Sequence, residues 1–159
     1  MPWLLPDWTG STRMQRNRDD LLRAQRLDPH SPLAAPHMAT IAAAYYFEGN
    51  YIAAVETARR GLVAFPSYAP ARRCPVAGLG QLRKQEEAAV TLQEFLAVAP
   101  DVFDTYVRNR LPYVPLKCHA HILDSVRKAG WHGCSRMNYP LCRRAKRQTS
   151  AVSRPLGKG

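Results

Sequence analysis

From Arg127 onward there is no Asp or Glu, although there are nine Lys or Arg, so almost all of the net charge of +11 sits in the last fifth of the 159 residues. The part before Arg127 carries only +2 and is close to neutral. Long apolar runs are missing as well. The longest, Met38 to Phe47 with Thr40 inside it, covers ten residues, half of what a membrane span needs, and reads instead as a buried helix. The N-terminus, Met1-Pro-Trp-Leu-Leu-Pro-Asp-Trp8, lacks a basic leader and a small-residue cleavage site, so no secretion signal is expected and the cytosol is the expected location. The four cysteines, Cys74, Cys118, Cys134 and Cys142, contain no Cys-x-x-Cys pair. Neither a disulfide framework nor a redox motif follows, and reduced thiols are expected.

Motifs of catalysis are equally scarce. There is no Gly-rich phosphate loop, no Gly-x-Ser-x-Gly and no carboxylate pair at glycosidase-like positions. The Glu86-Glu87 pair is explained by its place at the start of a helix, where the macrodipole favours negative charge. Cys118, His119 and His121, with His132, Cys134 and Cys142 further on, are ligand types that zinc accepts. Their spacing fits no tetrahedral set, since adjacent residues on a helix diverge, so neither a metal nor a cofactor is assigned. An enzyme is not expected.

What the chain does contain is one pattern written twice at a constant offset: Ala54 recurs as Ala88, Ala58 as Leu92, Leu62 as Leu96 and Pro66 as Pro100. A fixed period of this length marks stacked helical hairpins. In the first copy, Met38, Ile41, Ala42 and Tyr45 form a stripe at i, i+3, i+4, i+7. Gly49-Asn50 then supplies a turn in which positive φ costs little. Tyr51, Ala54, Val55, Ala58 and Leu62 make a second stripe, and Pro66 ends it. In the second copy, Glu86 to Val98 repeats that second helix with Ala88, Leu92, Phe95 and Leu96 inward. Its first helix, from about Ala71 to Leu82, is interrupted by Pro75, Gly78 and Gly80, which cost about 1 to 3 kcal/mol each relative to Ala, so a frayed or kinked element is expected there.

Met38, Ile41, Ala42, Tyr45, Ala54, Ala58 and Pro66 occupy the slots of the tetratricopeptide signature, Trp-x2-Leu-Gly-x2-Tyr, then Ala-x3-Phe, then Pro. The chain thus resembles a tetratricopeptide (TPR) repeat protein. The resemblance implies an all-α fold: a right-handed superhelical solenoid of about two hairpin repeats, near residues 35–68 and 69–102, with flanking and capping helices. It also implies a concave surface lined by first helices, here Ala39, Ala43, Tyr46, Phe47, Arg73, Ala77 and Gln81, against which a protein or peptide partner would lie.

Around the repeats the chain divides simply. Residues 1–12 have no period, and Trp3, Leu4, Leu5 and Trp8 could form a lid over the first helix. The helical domain spans 13–130. It opens with a helix over Arg13 to Leu27, stopped by Asp28-Pro29. After Pro100, Asp101 is placed to cap a short helix over Val102 to Arg110, and Leu111-Pro-Tyr-Val-Pro115 is an extended connector. A capping helix over 116–129 follows, with Ile122, Leu123 and Val126 inward, His119 and His121 outward, and Gly130 at its C-terminal cap. Exposed repeat edges offer a route to self-association.

Arg26-Leu-Asp-Pro-His-Ser-Pro32, Gly49-Asn-Tyr51, Pro66-Ser-Tyr-Ala-Pro70, Arg110-Leu-Pro-Tyr113 and Leu123-Asp-Ser-Val-Arg-Lys-Ala-Gly130 together resemble the C-terminal TPR region of bacterial, especially rhizobial, adenylate or guanylate cyclases. This resemblance covers Arg23 to Trp131 and implies a sensory or interaction appendage, because nothing here matches the cyclase catalytic domain. Residues 131–159 have the composition of a disordered basic tail. Arg143-Arg-Ala-Lys-Arg147 could contact phosphates without reading sequence, which makes weak nucleic-acid binding the remaining alternative to a protein partner.

Overall fold

Gly49 and Asn50 set the sharp turn of the first hairpin. The computed structural model describes residues 12–112 and 114–133, and among these every regular element is helical. Helix α1 covers Thr12–Leu27, α2 Ala34–Phe47 and α3 Tyr51–Ala64. Gly49 takes φ +82° between α2 and α3, and the Asn50 side chain caps α3 by accepting from the Ala53 amide at 3.2 Å. A 3₁₀ turn, Ala69–Arg72, leads into α4, Arg73–Gln81, and α5 covers Gln85–Val98. Helix α6, Pro100–Phe103, runs on as a π-helical stretch, Asp104–Arg108, and α7 covers Leu116–Lys128.

The period of the sequence is also a period of the backbone. The offset that carries Ala54 onto Ala88 carries both ends of α3, Tyr51 and Ala64, onto both ends of α5, Gln85 and Val98. Arg83, with φ +58°, stands at the same offset from Gly49 and makes the same turn without the glycine. Phe65 (φ −135°, ψ 71°) and Ala99 (φ −146°, ψ 63°) end the two helices in nearly the same conformation. Ala54 and Ala88 are fully buried, as are Ala58 and Leu92. Neighbouring helices pack in chain order, with α2 and α3 sharing the most extensive interface.

Helix α2 differs from its expected single stripe. Ala34, Ala39, Ile41, Ala42, Ala43, Ala44 and Tyr46 are all buried, whereas Met38 and Tyr45 are only half-buried. The reason is that α2 is enclosed on several sides. Helix α1 lies along one, where Arg18 pairs with Glu48 and its guanidinium stands 4.7 Å over the Tyr45 ring. Helices α3 and α4 cover others. A helix covered on most sides, with Thr40 its exposed residue, needs no polar stripe.

The interrupted helix of the second copy is present as α4, only shorter than its counterpart. Pro75 is the third residue of α4, where a missing N–H costs no intrahelical bond. Gly78 and Gly80 are contact points. A β-carbon on Gly78 would stand 2.6 Å from Val55 Cγ2 of α3, and one on Gly80 would stand 2.1 Å from the Ser125 carbonyl oxygen of α7. Backbone of α4 and backbone of α7 therefore meet closely at Gly80, and the helical propensity lost there is offset by a crossing that no larger residue allows.

Two further expectations shift. Asp101 lies inside α6, and the cap position belongs to Ala99 with Pro100 as the first helical residue. Trp131, read from sequence as the start of the tail, is buried. Its ring stacks edge-on against Phe103 (5.5 Å), and Phe103 against Phe95 (5.4 Å), tying the end of α7 to α6 and α5. Helix α7 ends at Lys128 and turns at Gly130 (φ +97°). The Trp3–Trp8 lid, Tyr113, Cys134, Cys142 and the basic run at Arg143–Arg147 lie outside the described residues.

Candidate functional site

The seven residues expected to line a concave groove are mostly interior. Ala39, Ala43, Tyr46 and Ala77 are buried, and Phe47, Arg73 and Gln81 half-buried. What covers this wall is the chain's own C-terminal part. Helix α7 lies against α4, and the Arg73 guanidinium stands 5.4 Å from the Tyr106 ring. Tyr46 and Gln81 meet α7 through hydrogen bonds, so at these positions an open inner wall is corrected to a helix–helix contact.

Ser125 is the centre of that contact. Its hydroxyl donates to the His121 carbonyl of the preceding turn (2.7 Å) and accepts from Tyr46 Oη (2.5 Å) and Gln81 Nε2 (2.6 Å). One donor and two acceptors are all that a hydroxyl offers, so Ser125, with no exposed surface, is fully satisfied. The Gln81 amide oxygen in turn accepts from Lys128 Nζ at 3.1 Å. Burial pushes the Tyr46 phenol far above its ordinary range, with the Ser125 bond opposing part of the shift. It is a structural hydroxyl, held protonated.

The histidines expected to point outward, His119 and His121, are half-buried, and Cys74 and Cys118 are buried. His119 Nε2 lies 2.9 Å from the Val107 carbonyl, and His121 Nε2 lies 3.3 Å from Tyr51 Oη, its ring 5.1 Å from that of Tyr46. These interactions seat α7, and the pattern that would have revealed them is the 3–4 spacing of Cys118, His121, Ile122 and Ser125 along one face. Burial raises both the Cys74 and the Cys118 thiol above their usual range, which disfavours the thiolate that nucleophilic or ligand chemistry requires. Among the described residues no three His, Cys, Asp or Glu are grouped to hold a metal ion.

An open concavity among the described residues lies elsewhere, beside the start of α4. A groove of about 460 Å³ runs between α3 and α5 over Leu62, Pro75 and Val90, flanked by Arg59, Glu86 and Glu94. Sequence periodicity missed it because, apart from Leu62 at the edge of the α3 stripe, its residues lie off the apolar stripes of α3 and α5 or at the start of α4. Arg59 pairs with Glu87 across it (2.5 Å) and holds that carboxyl below its usual range, Lys84 standing 3.8 Å away. Glu86 and Glu94 make no ion pair among the described residues. Arg72, also lining the groove, gives Nη2 to the Pro66 carbonyl at 3.5 Å, while its Nε is buried without a partner.

Comparison with protein-family models, with curated proteins and with solved structures returns no match for this chain. Among the described residues no helix is long and apolar enough to cross a membrane.

Proposed function

We propose that the chain is a non-catalytic, TPR-like interaction module: a right-handed stack of two helical hairpins, α2–α3 and α4–α5, flanked by α1 and closed by α7, that holds a segment of a protein partner. The observation that carries this reading is the recurrence, at one fixed offset, of helix limits, turn conformation, helix ends and buried small residues. Each hairpin buries one face against the next, which is how repeat proteins gain stability without a central sheet or cofactor. Side chains with chemical potential support it too, since His119, His121, Cys74 and Cys118 are engaged in packing.

On this reading the partner's place is the outer face of α3 and α5. The first helices offer little, because Tyr46 and Gln81 already bond to α7 and Ala77 is buried. The test is a photo-crosslinking residue placed in the full-length chain, in cells, at Val90 on the outer face or at Gln81 on the inner one. Adducts with one discrete protein from position 90 and none from 81 are expected. Adducts from 81 alone would return the site to the inner wall, and adducts from neither would remove the module reading.

A further inference from the structure

The groove between α3 and α5 has a charge and shape that specify its occupant. From Gln85 to Val107 the chain carries five acidic side chains and no Lys or Arg. Two of these, Glu86 and Glu94, sit one helical turn to either side of Val90, all three exposed on α5. Eight residues of helix separate the two carboxylates by about 12 Å along the axis. Glu87 is paired with Arg59, which leaves Glu86 and Glu94 as two carboxylates without an ion pair among the described residues, against the single guanidinium of Arg72, so the groove is acidic by one charge. Between them the floor is apolar, with Val90 60% exposed, well above what a core position shows.

We infer that this groove binds an extended, basic segment of a partner protein, of the form cation-x-aliphatic-x-cation. This deepens the interaction-module reading and rests on it. Alternate side chains of an extended segment point the same way, and four residues span about 13 Å, matching the separation of Glu86 and Glu94. The aliphatic side chain seats on Leu62 and Val90, and the two cations pair with the carboxylates. Exposed ion pairs contribute only about 0–1 kcal/mol each, so affinity depends on charge and apolar contact together, and binding is weak and salt-sensitive.

The test uses ¹⁵N-labelled full-length protein titrated with the capped synthetic peptide Ala-Lys-Ser-Leu-Ser-Lys-Ala. Saturable amide shifts are expected at Leu62, Glu86, Val90 and Glu94 and not on α7. The double variant Glu86→Gln, Glu94→Gln should weaken binding at least tenfold. Glu56→Gln with Asp101→Asn, an equal loss of charge away from the groove, should leave it unchanged. Replacing Leu by Ser in the peptide should weaken binding at least threefold. Equal loss in both double variants, equal binding of the serine peptide, or equal binding of a peptide with Glu in place of Lys would overturn the inference. So would groove shifts that depend on protein concentration alone, which would make a second copy the occupant. If a partner crosslinks at position 90 while the lysine peptide leaves the groove unshifted, the module reading survives and the basic occupant does not.

Discussion

Gly80 and Gly49 do different work, and substitution separates them. At Gly80 an alanine β-carbon meets the Ser125 carbonyl at 2.1 Å, and neither backbone can yield without parting α4 from α7. Gly80→Ala is expected to cost about 3 kcal/mol or more, the upper range for overpacking. At Gly49 the space is open and only φ +82° is unfavourable, so Gly49→Ala should cost about 1 kcal/mol. Urea denaturation of the two variants checks the order. Tyr46 provides a second residue-scale prediction. Its folded pKa is raised, so its contribution to stability is complete below the ordinary phenol value and is lost as pH rises beyond about 10. Alkaline unfolding should therefore be displaced to higher pH in Tyr46→Phe, as followed by helical circular dichroism across pH 9 to 12. An unchanged alkaline midpoint would mean the phenol is not the group that titrates.

The turn between α4 and α5 shows how an element can keep its shape after losing its residue. Arg83 holds φ +58° where the first copy has glycine, a conformation that costs a side-chain-bearing residue about 1 kcal/mol. Arg83→Gly should stabilise the protein by about 0.5–1 kcal/mol, part of the gain being offset by a more flexible unfolded chain. Thermal melts of the two proteins decide it, and a lower melting temperature in the variant would refute strain at this turn. Helix α7 has its own weak point in His121. Burial depresses its imidazole below the ordinary value, with Asp124 opposing the shift and Lys128 adding to it. Tyr46 and Tyr51 face it from α2 and α3. A depressed basic group contributes stability above its unfolded value and loses it as pH falls, so α7 should loosen below about pH 6.5. Amide exchange of α7 measured at pH 7.5 and 5.5, corrected for intrinsic rates, should show reduced protection at the lower pH, and His121→Gln should remove the difference.

At the scale of the whole molecule, Trp131 ties the end of α7 to the helices before it. Phe95, Phe103 and Trp131 stack in series from α5 to the end of α7. Trp131→Ala should cost about 3–5 kcal/mol, and it should do so for α5 and α7 together, because one aromatic chain links them. Amide exchange measured separately on Leu92 and Val126 tests this. Loss of protection confined to α7 would show that the repeat stands without its closing helix.

The legible part of the fold lay in local spacing. Tyr51, Ala54, Val55, Ala58 and Leu62 announced α3, and Ala88, Leu92, Phe95 and Leu96 announced α5, because a helix buries residues that are three and four apart. The bounds of α7 and the Gly130 turn were legible for the same reason. The fate of α4 was not, since Gly78 and Gly80 weaken a helix in isolation and only the nearness of Val55 and Ser125 shows why they are there. The inner wall was misjudged for an equivalent reason: Tyr46 and Gln81 look like ligand contacts until a distant helix supplies Ser125.

The amino-acid order alone determined the repeat period, the helices that carry it and the turns between them, because each depends on interactions within a few residues. Which wall closed and which stayed open was decided by the tertiary structure. Helix α7 reaches Tyr46 from 79 positions along the chain, and where it docks depends on backbones that can approach at Gly80 and on a hydroxyl that three neighbours can share.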